Sequence, residues 1–172
     1  MQLRQIQPSV KKLKFLITSS LLIILPNCSL IGVSGLKKAK NISFSVPSDW
    51  IETDSKGESD RAFKLSSGSI VTLTSSCQGN RNSNLKSLTQ DLLLGARKIK
   101  FIKQEKLNIA NAEALFSHVN ATVEKQAFQL LFVVAKKNDC VFDFSLVSPK
   151  SIPQKEVLEF LESAKSFNYG QS

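Results

Sequence analysis

Histidine is almost absent from this chain: His118 is the only one in 172 residues. One imidazole excludes metal sites built on paired histidines and leaves little for acid–base chemistry. There is no Gly-x-Ser-x-Gly elbow and no glycine-rich phosphate loop. Three cysteines occur, none in a Cys-x-x-Cys pair, which removes thiol redox catalysis and cysteine zinc sites. Asp139 and Asp143 flank Cys140, one in a turn and one in a strand, a placement suited to pairing with lysines rather than to an acid/base couple. The chain is expected not to be an enzyme and to need no cofactor and no metal.

Acidic residues are missing from the N-terminus, where the first is Asp49. Arg4, Lys11, Lys12 and Lys14 precede an apolar run that ends at Leu25 and is broken by Thr18, Ser19 and Ser20. A cationic segment before a short apolar one is the secretory pattern. At about 1.5 Å per residue the run falls short of the roughly 30 Å hydrocarbon core of a bilayer. Leu25-Pro26-Asn27-Cys28 follows. It resembles a bacterial lipobox, in which the cysteine takes diacylglycerol and becomes the first mature residue. Pro26 and Asn27 depart from the small residues of the strict form. The rival reading is an uncleaved anchor, because Leu30, Ile31, Val33 and Leu36 prolong the apolar run. On the lipobox reading, residues 1–27 are a signal peptide, 28–41 a tether and 42–169 a single domain.

Four of the 23 basic residues lie in that signal and none of the 14 acids does, so the charge falls from +9 for the whole chain to +5 for the mature one. Much of the basicity is therefore targeting information, and nucleic acid is not expected as a partner. The expected partners are a membrane, reached through a lipid on Cys28, and an envelope protein. Lys37, Lys38 and Lys40 follow closely enough to meet anionic head groups. In an oxidising compartment Cys77 and Cys140 are the candidates for one disulfide, with two free buried thiols as the alternative.

Beyond the tether, Ile42–Val46 alternates as a strand and Trp50 reads as a core anchor. Arg61–Leu65 and Ser69–Ser75 form a hairpin around Ser66-Ser67-Gly68. Ser83 or Asn84 caps a helix extending to about Ala96, with Leu85, Leu88, Leu92 and Ala96 on one face. Strands over about 104–109 and 112–124 join through Ala110-Asn111. Gln126–Ala135 is apolar on both faces, so both faces are expected to be covered. Cys140, Phe142, Phe144 and Leu146 share one face of the next strand. A last helix opens at Pro153 and carries Val157, Phe160, Leu161, Ala164 and Phe167 as an apolar stripe. His118 falls on the outer face of its strand, as a surface histidine. Arg97, Lys98, Lys100, Lys103 and Lys106, interleaved with Ile99, Phe101 and Ile102, suit either an anionic membrane or acidic partner, or a solvated edge protected by lysines.

The order strands, helix, antiparallel strands, helix predicts an α+β domain with helices on both faces of an antiparallel sheet, an α/β/α sandwich. The stretches FSVPSDW, LKSLTQDLLLG, IANAEAL, CVFDFSLVSP and the closing SFNY resemble the PsbP-like fold over residues 42–169. Within it they resemble small bacterial cell-envelope lipoproteins of unassigned function. Asn111 stands where that pattern has glycine. The fold family includes an extrinsic photosystem subunit and a GTPase-binding protein, which act by binding partners. The resemblance implies a membrane-tethered, non-catalytic binding or assembly protein of the bacterial envelope. The alternative is a periplasmic carrier of a small apolar ligand.

Overall fold

A computed structural model describes residues 37–77 and 82–170. Cys28 and the proposed signal lie outside the described residues. In chain order the elements are β1 (Ile42–Ser43), β2 (Ile51–Thr53), β3 (Arg61–Lys64), β4 (Ile70–Cys77), α1 (Leu85–Asp91), β5 (Arg97–Ile109), β6 (Ala112–Val123), β7 (Gln126–Lys137), β8 (Cys140–Ser148), α2 (Gln154–Lys165) and β9 (Asn168–Tyr169). Seven strands form one antiparallel sheet in the order β2-β3-β4-β8-β7-β6-β5, and β1 pairs with β9. No helix of the described residues is long and apolar enough to cross a membrane.

The long hairpins follow from their turns. Ala110 and Asn111, Glu124 and Lys125, and Asn138 and Asp139 all have positive φ, between 48° and 72°. Two such residues in succession give the turn whose twist matches a right-handed hairpin. Asn111, standing in for glycine, does this at little cost because asparagine tolerates the left-handed region.

β7 is the spine. Leu130 to Ala135 are all buried, as a strand apolar on both faces requires. Leu131, Val133 and Ala135 belong to the main cluster with Phe63, Leu73, Phe142, Phe144 and, from α2, Phe160 and Ala164. Val134, of the opposite parity, clusters with Val141 and with Leu85 and Leu88 of α1. Trp50 is buried in the main cluster and packs on Phe63, with ring centroids 5.9 Å apart.

α1 is shorter than the sequence pattern suggests. Asn84 caps it, its side chain accepting the Ser87 N–H at 2.8 Å, but the helix stops at Asp91. Leu94 and Ala96 N–H groups then bond three residues back, and Gly95 adopts φ 85°. This tightening turns the apolar face, so that Leu93 is buried and Leu92 is not. α2 carries the expected stripe as far as Ala164 but ends at Lys165, so Phe167, expected on it, lies just beyond and still joins the core. The first-turn Glu156 of α2 is buried and accepts from Ser69 Oγ at 3.2 Å, tying the helix to the turn before β4.

Residues 37–41, read from sequence as the end of a tether, lie against the fold. The Cys77 N–H donates to Lys37 O at 2.8 Å, and the Ala39 N–H donates to Ser75 Oγ at 2.8 Å.

Candidate functional site

Cys77 and Cys140 face each other in register across β4 and β8 and are joined by a disulfide. Both are buried, and Tyr169 Oη lies 3.6 Å from Cys140 Sγ. The pair is thus enclosed by Lys37 on one side and β9 on the other. Burial and bonding make it a structural clasp rather than a reactive centre.

His118 is less exposed than its position on the outer face suggested. It is half-buried on β6, and Nε2 is enclosed without a partner. Burial pushes its pKa below the usual imidazole value, and a hydrogen bond with Gln129 opposes the shift. Gln129 also accepts the Ile152 N–H at 2.8 Å, fastening the β8–α2 loop to β7. Beside it opens a cleft of about 320 Å³, lined in part by Lys98, Asn120, Thr122, Gln129, Lys150 and Ser151. Asn120 Oδ1 is buried there without a partner. Ser117, the neighbour of His118 in sequence, falls on the other face of β6 and accepts from Gln104 Nε2 at 3.0 Å. The imidazole is thus held by an amide, and the cleft gathers amides, hydroxyls and cations. Such a set can bind a polar or anionic group, but it provides no oriented nucleophile–base pair.

The basic run begins β5, which starts at Arg97, several residues before the expected strand. β5 is an edge of the sheet, hydrogen-bonded to β6 on one side. Its register with β6 shifts twice, between Arg97 and Lys100 and between Phe101 and Lys103. These irregularities hid the strand from a reading based on strict alternation. They also sort its side chains. Lys100 and Lys103 stand opposite Asn120 and His118, on one face. Phe101 stands opposite Val119, on the other.

Most of the large apolar residues left exposed collect here: Leu92, Leu94, Ile99, Phe101, Ile102 and Val123, with Leu94 82% exposed. A second cavity of about 470 Å³ lies among Gly95, Arg97, Lys98, Thr122, Glu124 and Lys125, sharing Lys98 and Thr122 with the first. The signal for this surface was present in the sequence as apolar residues interleaved with lysines. What the sequence did not reveal was that Leu92 and Leu94 lie past the helix and stay exposed, shortly before β5.

A third polar group sits beyond α1. Asp143 stands opposite Thr74 and Val134, with Oδ1 buried and unpartnered. Burial pushes its pKa up to about 6, and Lys38 opposes the shift. Lys38 Nζ is also 3.6 Å from Asp60 Oδ1. Among the described residues no group of three or more His, Cys, Asp or Glu side chains is placed to hold a metal ion.

No family model matches the sequence, and no curated protein matches it. Solved structures do. The chain is similar to the cyanobacterial PsbP protein, CyanoP, of Synechocystis sp. PCC 6803, with TM-score 0.55 and 17% identity over 85% of this chain and 99% of that one. LpqN of Mycobacterium tuberculosis, involved in cell envelope biogenesis, matches at TM-score 0.50 and 9% identity, over 78% of this chain and 83% of that one. A protein of Bacteroides thetaiotaomicron VPI-5482 matches at TM-score 0.50 and 15% identity, covering 76% of this chain and 45% of its own. The protein therefore has a PsbP-like fold.

Proposed function

We propose that this protein is a membrane-tethered, non-catalytic binding or assembly module of the bacterial cell envelope. In this reading Cys28 carries the lipid and the domain is an α/β/α sandwich. What supports the sandwich is that Val134 clusters with residues of α1 and Val133 with residues of α2, and these are adjacent residues of β7 whose side chains alternate. The observation that carries the reading is the surface at β5, where exposed apolar side chains and cations share one end of the sheet. Such a patch marks an interaction site. The likeness to LpqN, a protein involved in cell envelope biogenesis, supports an envelope setting by analogy of fold.

The geometry suits a tether. The described chain joins the sheet at Lys37, beside Cys77 and nine positions after Cys28. The cationic start of β5 lies toward the other end of the strands from Lys37. The clefts described above set Lys98 among both polar and apolar neighbours, Ala121 and Phe128 in the first, so they suit a small apolar ligand less well than an uncharged cavity would.

Two measurements test the proposal. Intact-mass analysis of the mature protein is expected to show a chain starting at Cys28 with added acyl mass; an unmodified chain starting at Met1 would sink the lipid anchor. Crosslinking of the native protein in membranes is expected to recover a specific envelope protein. Recovery of none would overturn the binding role.

A further inference from the structure

β5 is the longest strand, thirteen residues, and it ends the sheet. Its outer edge is unpaired among the described residues. The other edge, β2, offers only three residues. A long free edge is a template for another strand, which natural proteins blunt with lysines and bulges. Here the blunting is selective. The strand carries Arg97, Lys98, Lys100, Lys103 and Lys106 against a single acid, Glu105. A second copy of β5 would be repelled by the same charges. An acidic strand would be drawn to them.

The two register shifts refine the match. They set Lys100 and Lys103 on the His118 face and Phe101 on the Val119 face, where Leu93, just past α1, clusters with Val119 and its chain neighbours Leu92 and Leu94 are exposed. A strand laid along this edge presents alternate side chains to the two faces. Acidic residues would meet the lysines on one face, and apolar residues would meet Phe101 and its neighbours on the other.

We infer that β5 receives an extended segment of a partner protein in which acidic and apolar residues alternate, as an eighth strand of the sheet. Main-chain hydrogen bonds supply affinity and the side-chain alternation supplies selectivity. This rests on the reading of the domain as a binding module, and it does not depend on the lipid.

The test uses the full chain and a ten-residue peptide alternating glutamate and valine, with a lysine–valine peptide as control. The glutamate peptide is expected to bind, to slow amide exchange along β5 at least tenfold, and to lose at least tenfold in affinity in the K100E/K103E variant. That variant is expected to prefer the lysine peptide. Equal binding of both peptides by the native chain, or protection on β2 or α2 in place of β5, would overturn the inference. So would binding to phosphatidylglycerol vesicles that depends on Lys100 and Lys103 while β5 amides exchange unchanged, since that would make the surface a lipid contact. A photocrosslinker placed at Ile102 or at Leu158, in native membranes, separates this inference from the reading beneath it. Crosslinks from Leu158 alone would refute the edge and keep the binding module. Crosslinks from neither would refute the module itself.

Discussion

Cys77 and Cys140 stand directly opposite each other on β4 and β8, with Cα atoms 4.0 Å apart. They are 63 positions apart in the chain, and their bond closes the corner where Lys37 meets β4 and where Tyr169 comes back over β8. Both ends of the described domain are therefore referred to one covalent point.

Closing a loop of that size restricts the unfolded chain, and on the entropy model the effect is roughly 4 kcal/mol. Replacing both cysteines by alanine should lower stability by about 2–4 kcal/mol, read as a shift of the denaturant midpoint. Reducing agent should reproduce the loss in the native chain and leave the double variant unchanged.

Asp143 makes stability depend on pH in an unusual direction for a carboxylate. Its pKa is raised to about 6 from 3.8, so the folded state binds the proton more tightly than the unfolded one. Stability from this group should be greatest at low pH and should fall as pH rises from about 4 through about 6. D143N keeps the shape and removes the charge. It should be more stable than the native chain by about 1–2 kcal/mol at pH 7.5, with the difference shrinking toward pH 4. Chemical denaturation at the two pH values checks this; a constant difference would refute it.

Phe142 is fully buried and packs on Phe167 and Tyr169, with ring centroids 4.7 and 4.9 Å away. It links the sheet to the segment that follows α2. F142A should cost about 3–5 kcal/mol. Near-ultraviolet circular dichroism should also show loss of order around Tyr169. A loss below 1 kcal/mol would mean that this end packs differently.

Arg61 uses its planar head twice. Nε and Nη2 donate to the Glu52 carboxylate, at 2.8 and 3.0 Å, and the guanidinium lies 4.9 Å from the centroid of Phe44 and 4.8 Å from that of Phe63. Lysine keeps the charge but cannot reproduce the fork or the stacking. R61K should therefore cost about 1 kcal/mol, whereas E52Q, at an exposed ion pair, should cost measurably less. Thermal melts of the two variants distinguish these, and equal losses would show that the rings contribute nothing.

Much of the sheet was legible in the sequence because side-chain alternation is local. The parity of Leu130 to Ala135 required burial of both faces, and that of Cys140, Phe142, Phe144 and Leu146 gave one shared face. The cysteines of β4 and β8 could be assigned core-facing parity in the same way. The end of α1 was not legible, since i+3 hydrogen bonds and Gly95 replaced Leu92 with Leu93 in the core. The start of β5 was hidden for a related reason. Its register shifts break the alternation by which strands are recognised, and they are also what separates the lysines from Phe101.

The cationic, acid-free N-terminus, the inward parity of the cysteines and the concentration of lysines between Arg97 and Lys106 can all be read along the chain. That Cys77 meets Cys140, that His118 is half-buried against Gln129 and that the lysine-rich strand ends the sheet emerge only once the strands are assembled. The reason is range. Alternation and charge are set by neighbours in the chain, whereas pairing partners, burial of a polar group and the identity of an edge depend on how distant strands stack.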